Sequence, residues 1–298
     1  MSTARSKSEP AVSTSSIAPT LRHTDIVRQT VQVFAAVESP WVWEARPDVW
    51  LLVACLAGGY WWSMTRLRIA FNAPPSPRSQ VVRYGLGVAV LWLAVDWPMD
   101  RIGDDFLFSA HVVQFLMITL IASPLLLTGV PGWLQSEIIR PVQPLVGVLT
   151  RAPVALALFQ MVIVGTHLPF VVELYASNSV VHFGLHALWL LSALVFWKPI
   201  LGSEPVARLL RPPLKVAYLI GARVVPTVPA SLLTWAETAF YTPYATAPRV
   251  WGLSPVEDLQ LAGALMKLGG GTILWGYILW VFASWASSER SPRRADLR

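Results

Sequence analysis

Long apolar stretches recur along the chain, at about residues 49–65, 81–98, 106–128, 152–175, 179–201, 214–235 and 259–285. A helix needs roughly 20 mostly apolar residues to cross the hydrocarbon core, and only helices or closed barrels satisfy their own backbone hydrogen bonds there. The pattern therefore predicts an all-α, polytopic membrane helix bundle of about seven transmembrane helices. Proline and glycine clusters punctuate it: Pro74-Pro75 after the first stretch, Gly129-Val130-Pro131 after the third, Pro212-Pro213 before the sixth. No segment between the stretches is long enough to fold alone, and no internal repeat is visible.

Three regions follow. Residues 1–48 form a polar N-terminal tail. Its first 20 residues read as disordered, and residues 27–43 as an interfacial or a soluble helix ending at Trp41 and Trp43. No apolar core resembling a signal peptide precedes them. Residues 49–285 form the transmembrane domain, and residues 286–298 a basic cytoplasmic tail.

Charge orients the bundle. Arg66, Arg68, Arg78 and Arg83 follow the first stretch, Arg140 and Arg151 the third, and Lys198, Arg208, Arg211 and Lys215 flank the fifth connection. The alternate loops carry mainly acids, among them Asp96, Asp100, Asp104, Asp105, Glu173, Glu237, Glu257 and Asp258. Basic loops stay in the cytoplasm, so the N-terminus is expected outside and the C-terminus inside.

Composition agrees. Only 13% of residues are charged, about half the 25% usual in soluble domains. The 15 tryptophans suit a chain with many membrane–water boundaries. The net charge of +6 comes from residues in loops between apolar runs, so it points to the lipid bilayer and not to nucleic acid. The single cysteine, Cys55, excludes an internal disulfide and a Cys-x-x-Cys metal motif.

Four histidines carry the candidate chemistry. In this topology His111, His167, His182 and His186 all lie near the outer ends of their helices, and His182 and His186, four apart, share a helix face. A lone polar residue in a span is often interhelical glue. Four at matched depth suit a metal site, since neutral imidazole ligates copper, zinc, iron and nickel alike. Met266 is a candidate soft ligand for Cu(I), although an isolated methionine more often fills packing space. Gln114, Met99, Asp100, Asp258 and Gln260 stand at the same level. Deeper, Arg223 and Lys267 read either as contacts for an anion or a haem propionate, as a proton path, or as cations that snorkel or pair with Asp258 or Glu257. Pro226 and Pro229 should distort the sixth helix.

The chain resembles the CtaG family of multi-span cytochrome c oxidase assembly factors. The resemblance rests on Pro98-Met99-Asp100, Phe108-Ser109-Ala110-His111-Val112-Val113-Gln114, Pro124-Leu125-Leu126 with Gly129 and Pro131, His167-Leu168-Pro169-Phe170 with Glu173-Leu174, His182 with His186, and Leu253-Ser254-Pro255 through Asp258, Gln260 to Gly263 and Met266. It departs in three places: Phe115 stands where the family usually has a second histidine, Thr166 where it has Trp, and Lys267 where it has an apolar residue.

The resemblance implies a bacterial inner-membrane protein that assists maturation of a haem–copper oxidase, supporting copper delivery or insertion at the periplasmic side. Its partners would be oxidase subunits and copper chaperones. No nucleophile–base pair or nucleotide loop suggests an enzyme. Three other readings stay open on the residues alone: a haem-binding membrane cytochrome, an accessory structural subunit whose histidines only hydrogen-bond, and an ion or solute transporter lined by Arg223, Lys267 and Asp258.

Overall fold

The computed structural model describes residues 39–203 and 209–290; those from Pro40 onward belong to one compact unit. Among the described residues every regular element is a helix. In chain order they are α1 (Pro47–Trp62, continued by a π-turn to Ala70), α2 (Arg78–Val95), α3 (Met99–Asp105), α4 (Phe108–Gly129), α5 (Gly132–Leu149), α6 (Ala152–Thr166), α7 (Pro169–Ser177), α8 (Ser179–Leu201), α9 (Pro212–Val224), α10 (Thr227–Thr234), α11 (Thr242–Thr246), α12 (Pro255–Ala264) and, after a π-turn, α13 (Gly270–Arg290).

Five runs are long and apolar enough to cross a bilayer: Arg78–Asp105, α4, α8, Pro212–Thr234 and Pro255–Glu289. The bent pair α5 and α6, meeting at 88°, makes a sixth if taken as one span. The first expected stretch forms α1, which is not among them; its 16 residues include Asp48, three tryptophans, Tyr60 and two glycines. The fourth expected stretch is broken. Its helix stops at Thr166 and restarts at Pro169, which has no N–H to lose at a first helical position. The interfacial helix expected over residues 27–43 falls mostly outside the described residues; Trp41 and Trp43 are exposed and non-helical. The C-terminal helix runs to Arg290, into the region expected to be tail.

α4 is the central helix. In its most apolar window 72% of residues are buried, against 33–39% in the other four runs. α2, α8 and α12 pack against it, α6 packs on α8, α10 on α12 and α9 on α13. The outer surface is apolar, with Leu51, Trp61, Leu93, Met161, Leu191 and Leu279 exposed. Burying these against lipid instead of water is what the hydrophobic effect favours.

Close approach at one end fixes how α4 lies on α2. A Cβ added at Gly129 would stand 2.5 Å from the Tyr84 backbone nitrogen. Tyr60 stacks on Tyr84 with centroids 3.9 Å apart and donates to the Gly129 carbonyl. At the opposite end the N-termini of α4, α8 and α12 gather with the C-terminus of α6. Asp258 of α12, fully buried, accepts from the Phe108 and Ser109 backbone N–H groups at 2.7 and 3.0 Å. It caps α4 from another helix and places a negative charge on the positive end of its dipole.

Candidate metal centre

Each ligand-bearing helix is started in a way that aims its histidine into this end. The Asn178 side chain accepts from Val180 and Val181 N–H, so α8 begins at Ser179 and carries His182 and His186 on its first two turns. The Asp258 cap begins α4 at Phe108, one turn before His111. The short helix α3 is held against α4 by Gln114, whose Nε2 donates to the Ala94 carbonyl at 2.9 Å and to Asp100 at 3.3 Å. Gly103 permits that approach, since a Cβ there would lie 2.3 Å from Gln114 Oε1. Tyr244 donates to the Gly103 carbonyl from the other side.

The result is a compact imidazole trio. One ring nitrogen each from His111, His182 and His186 lie within 4.8 Å of one another. The Nε2 atoms of His182 and His186 are 3.2 Å apart. Metal–imidazole bonds of about 2.0 Å place ligand nitrogens roughly 3.3–3.5 Å apart in tetrahedral or trigonal geometry, so this pair already stands near ligand spacing. His111 is 2% exposed, and neither of its ring nitrogens has a hydrogen-bond partner. Its ring is stacked on Tyr175, with centroids 4.9 Å apart, and tilted over Trp189 at 5.0 Å. Buried nitrogens are nearly always hydrogen-bonded, and the aromatic walls supply no partner.

Asp104 stands beside the trio. Its Oδ1 is 3.3 Å from His182 Nε2 and 3.8 Å from His111 Nδ1. With Asp100 and His182 it forms a second group whose candidate ligand atoms lie within 4.8 Å. Arg46 pairs with Asp100 and, at 3.3 Å, with Asp48. Outside lies an open cavity of about 490 Å³ whose lining includes Glu44, Arg46, Asp48, Asp104, Asp105 and His182. A mouth rich in carboxylates attracts cations.

The other two expected ligands stand apart. His167 caps the end of α6. Its Nδ1 donates to the Ile163 carbonyl at 2.7 Å, and the Phe108 and Phe115 rings lie 6.1 Å from its own. It is not part of the trio. Met266 is buried and lines a different, smaller cavity with Phe115, Arg223 and Lys267. Asp104 had been legible only as a loop acid. Its spacing of four from Asp100 was the available signal, because a single helical turn would align the two.

The model of the cytochrome c oxidase caa3 assembly factor family matches residues 58–288, more than half of the chain. The chain belongs to this family. No curated protein and no solved structure matches it. The matched region of this oxidase assembly factor takes in the whole trio, Asp100 and Asp104; Glu44, Arg46 and Asp48 at the mouth precede it.

Two of the three positions at which this assembly factor departs from the expected pattern, Thr166 and Phe115, have clear packing roles. Thr166 accepts the Trp189 indole N–H at 3.3 Å, which steadies the ring beneath His111. Phe115 packs edge-on to the same indole, with centroids 5.1 Å apart. Trp189 thus contacts both residue 111 and residue 115, and a side chain at 115 meets the indole and His167.

Proposed function

We propose that this oxidase assembly factor carries copper to a haem–copper oxidase, holding Cu(I) on His111, His182 and His186 in transit. The observation that supports this most is the buried His111 ring, with neither nitrogen hydrogen-bonded, beside two imidazole nitrogens at ligand spacing. Copper here is cargo. Three neutral donors suit Cu(I), and a three-coordinate site exchanges its metal more readily than a closed four-coordinate one. The acidic mouth gathers the cation, and Asp104 stands where an incoming charge passes from carboxylate to imidazole.

An ion fits this space better than haem does. Tyr175 and Trp189 enclose the His111 ring at 4.9 and 5.0 Å, and His182 and His186 share one helix face, so they cannot bind opposite sides of one macrocycle. In this reading the chain crosses a bacterial inner membrane seven times, α1 and the bent α5–α6 pair included. Its N-terminus and the trio face the periplasm, as the loop charges require.

The test is a deletion strain complemented with wild-type protein or with the His182→Ala/His186→Ala variant. Copper per purified chain, copper per oxidase and oxidase activity are measured. The expected outcome is about one copper on the wild-type chain and almost none on the variant. The variant strain should match the deletion in having a copper-poor oxidase. Full oxidase copper and activity in both strains would sink the proposal. Lowering the pH should release the metal, because protonated imidazole is not a ligand.

A further inference from the structure

Arg223 and Lys267 are half-buried within long helical runs and pair with no acid among the described residues. The acids closest to Lys267 in sequence are engaged elsewhere: Asp258 caps α4, and Glu257 closes the capping box with Ser254. Glu237, nearer to Arg223 in sequence, is exposed after α10. Arg223 is the twelfth residue of the 23-residue run Pro212–Thr234, so it sits at mid-depth. Its guanidinium lies against the backbone of α13, where a Cβ on Gly271 would stand 2.4 Å from Nη1 and 2.9 Å from Nη2. That Nη1 is buried without a hydrogen-bond partner. Lys267 is four residues before Gly271 and lines the same cavity of about 50 Å³. The remaining walls are largely apolar, formed by Phe115, Leu120, Phe159, Ile163 and Leu274. The N-terminus of α10, an eight-residue helix, meets the cavity at the exposed Thr227.

Two neighbouring cations in a low-dielectric site repel each other, and each carries a desolvation cost. Such residues in a membrane bundle are normally paired. A missing negative charge, small enough for this space, resolves both costs. We propose that the cavity binds the carboxylate of an amphiphile of the fatty-acid class, with its head between Arg223 and Lys267. The chain would lie along the exposed apolar side chains of Val224, Val228 and Leu268. A phosphate headgroup keeps its charge and stays at the bilayer surface, whereas a fatty acid can reach mid-depth as the neutral acid, its carboxyl proton then passing to water as the carboxylate pairs with the two cations. This inference is independent of the copper site.

The experiment uses the purified full chain in a non-ionic detergent, titrated with laurate, with dodecanol as the uncharged control. Thermal unfolding and bound-laurate stoichiometry are read. Wild type should bind about one laurate, with a saturable rise in Tm of a few degrees. Dodecanol should give no saturable rise. Arg223→Gln and Lys267→Gln should each weaken laurate binding at least tenfold, and Lys267→Arg should retain it. The unliganded Tm and the gel-filtration profile of all three variants should stay close to those of wild type, which shows that they are folded. Absence of laurate binding, an equal effect of dodecanol, or undiminished binding in both glutamine variants would overturn the proposal.

Discussion

The imidazole trio and the Arg223–Lys267 cavity are both polar islands in an apolar bundle, but they lack opposite things. The trio gathers imidazole nitrogens beside a carboxylate, and its buried His111 has no hydrogen-bond partner. The cavity presents two cations against apolar walls, and its buried Arg223 nitrogen finds no acceptor. Asp258 supplies the third case, an equally buried charge fully satisfied by two backbone N–H groups of its own chain. The comparison teaches that burial alone does not mark a site. A buried polar group answered within the chain is structural, as Asp258 is. His111 and Arg223, left unanswered among groups of like kind, are where the two proposed partners would sit, and the residue type gives each partner's sign.

The largest expected effect separates the two islands. His182→Ala/His186→Ala removes two of three donors and should lower copper affinity by at least ~100-fold, judging from the 10–100-fold cost of losing even outer-shell partners. Laurate binding at Arg223 and Lys267 should not change. If copper affinity survives, or if laurate binding falls with it, the two islands are not the independent sites described above.

The next effect concerns the satisfied charge. Asp258→Ala leaves the Phe108 and Ser109 N–H groups unpaired at the start of α4 and removes a charge that complements the helix dipole. Losses of this kind cost about 2–3 kcal/mol, read as a lower unfolding midpoint in detergent. His111 sits on that first turn, so copper binding should weaken as well. An unchanged midpoint would show that the cap contributes little and that Asp258 belongs with the functional acids.

Much of this was legible in the sequence, and the physical reason differs from element to element. α8 occupies residues Ser179–Leu201, the range its apolar run predicts, because a polar cap at Asn178 and a glycine at 202 bound it sharply. The convergence of His111, His182 and His186 followed from depth and helical spacing. The exclusion of His167 did not, because the break before Pro169 turns that residue into a helix cap, and its side chain is taken up by a local carbonyl. Asp104 was hidden because α3 is only seven residues long and is held in place by tertiary contacts to Gln114 and Tyr244. The pairing of Arg223 or Lys267 with Asp258 or Glu257 was equally plausible from sequence. It fails because both acids serve helix N-termini.

A smaller effect sharpens the cation cavity. Gly271→Ala places a methyl 2.4 Å from Arg223 Nη1. The clash is with the end of a flexible side chain, so the guanidinium swings away and stability should change by less than about 1 kcal/mol. Laurate affinity should fall by about five- to tenfold, and copper affinity should stay as in wild type. An alanine variant that binds laurate normally would show that the guanidinium position seen against Gly271 is not the one that meets the ligand.

The smallest expected effect on copper comes from Phe115→His, although the family pattern makes this the most inviting change. Residues 111 and 115 are four apart and share a face of α4, which by spacing alone suggests a fourth ligand. The structure argues otherwise. The Trp189 indole packs on both rings, at 5.0 Å from His111 and 5.1 Å from Phe115, and Thr166 holds its N–H. A histidine at 115 would face that indole and His167, whose Nδ1 is already committed to Ile163. Copper affinity should therefore change by less than about threefold, with some loss of stability from replacing a buried phenyl ring by a polar one. A tenfold or greater gain in affinity, measured by competition with a Cu(I) chelator, would mean that Trp189 moves aside. The centre would then be a four-imidazole site from which this chain has lost a ligand.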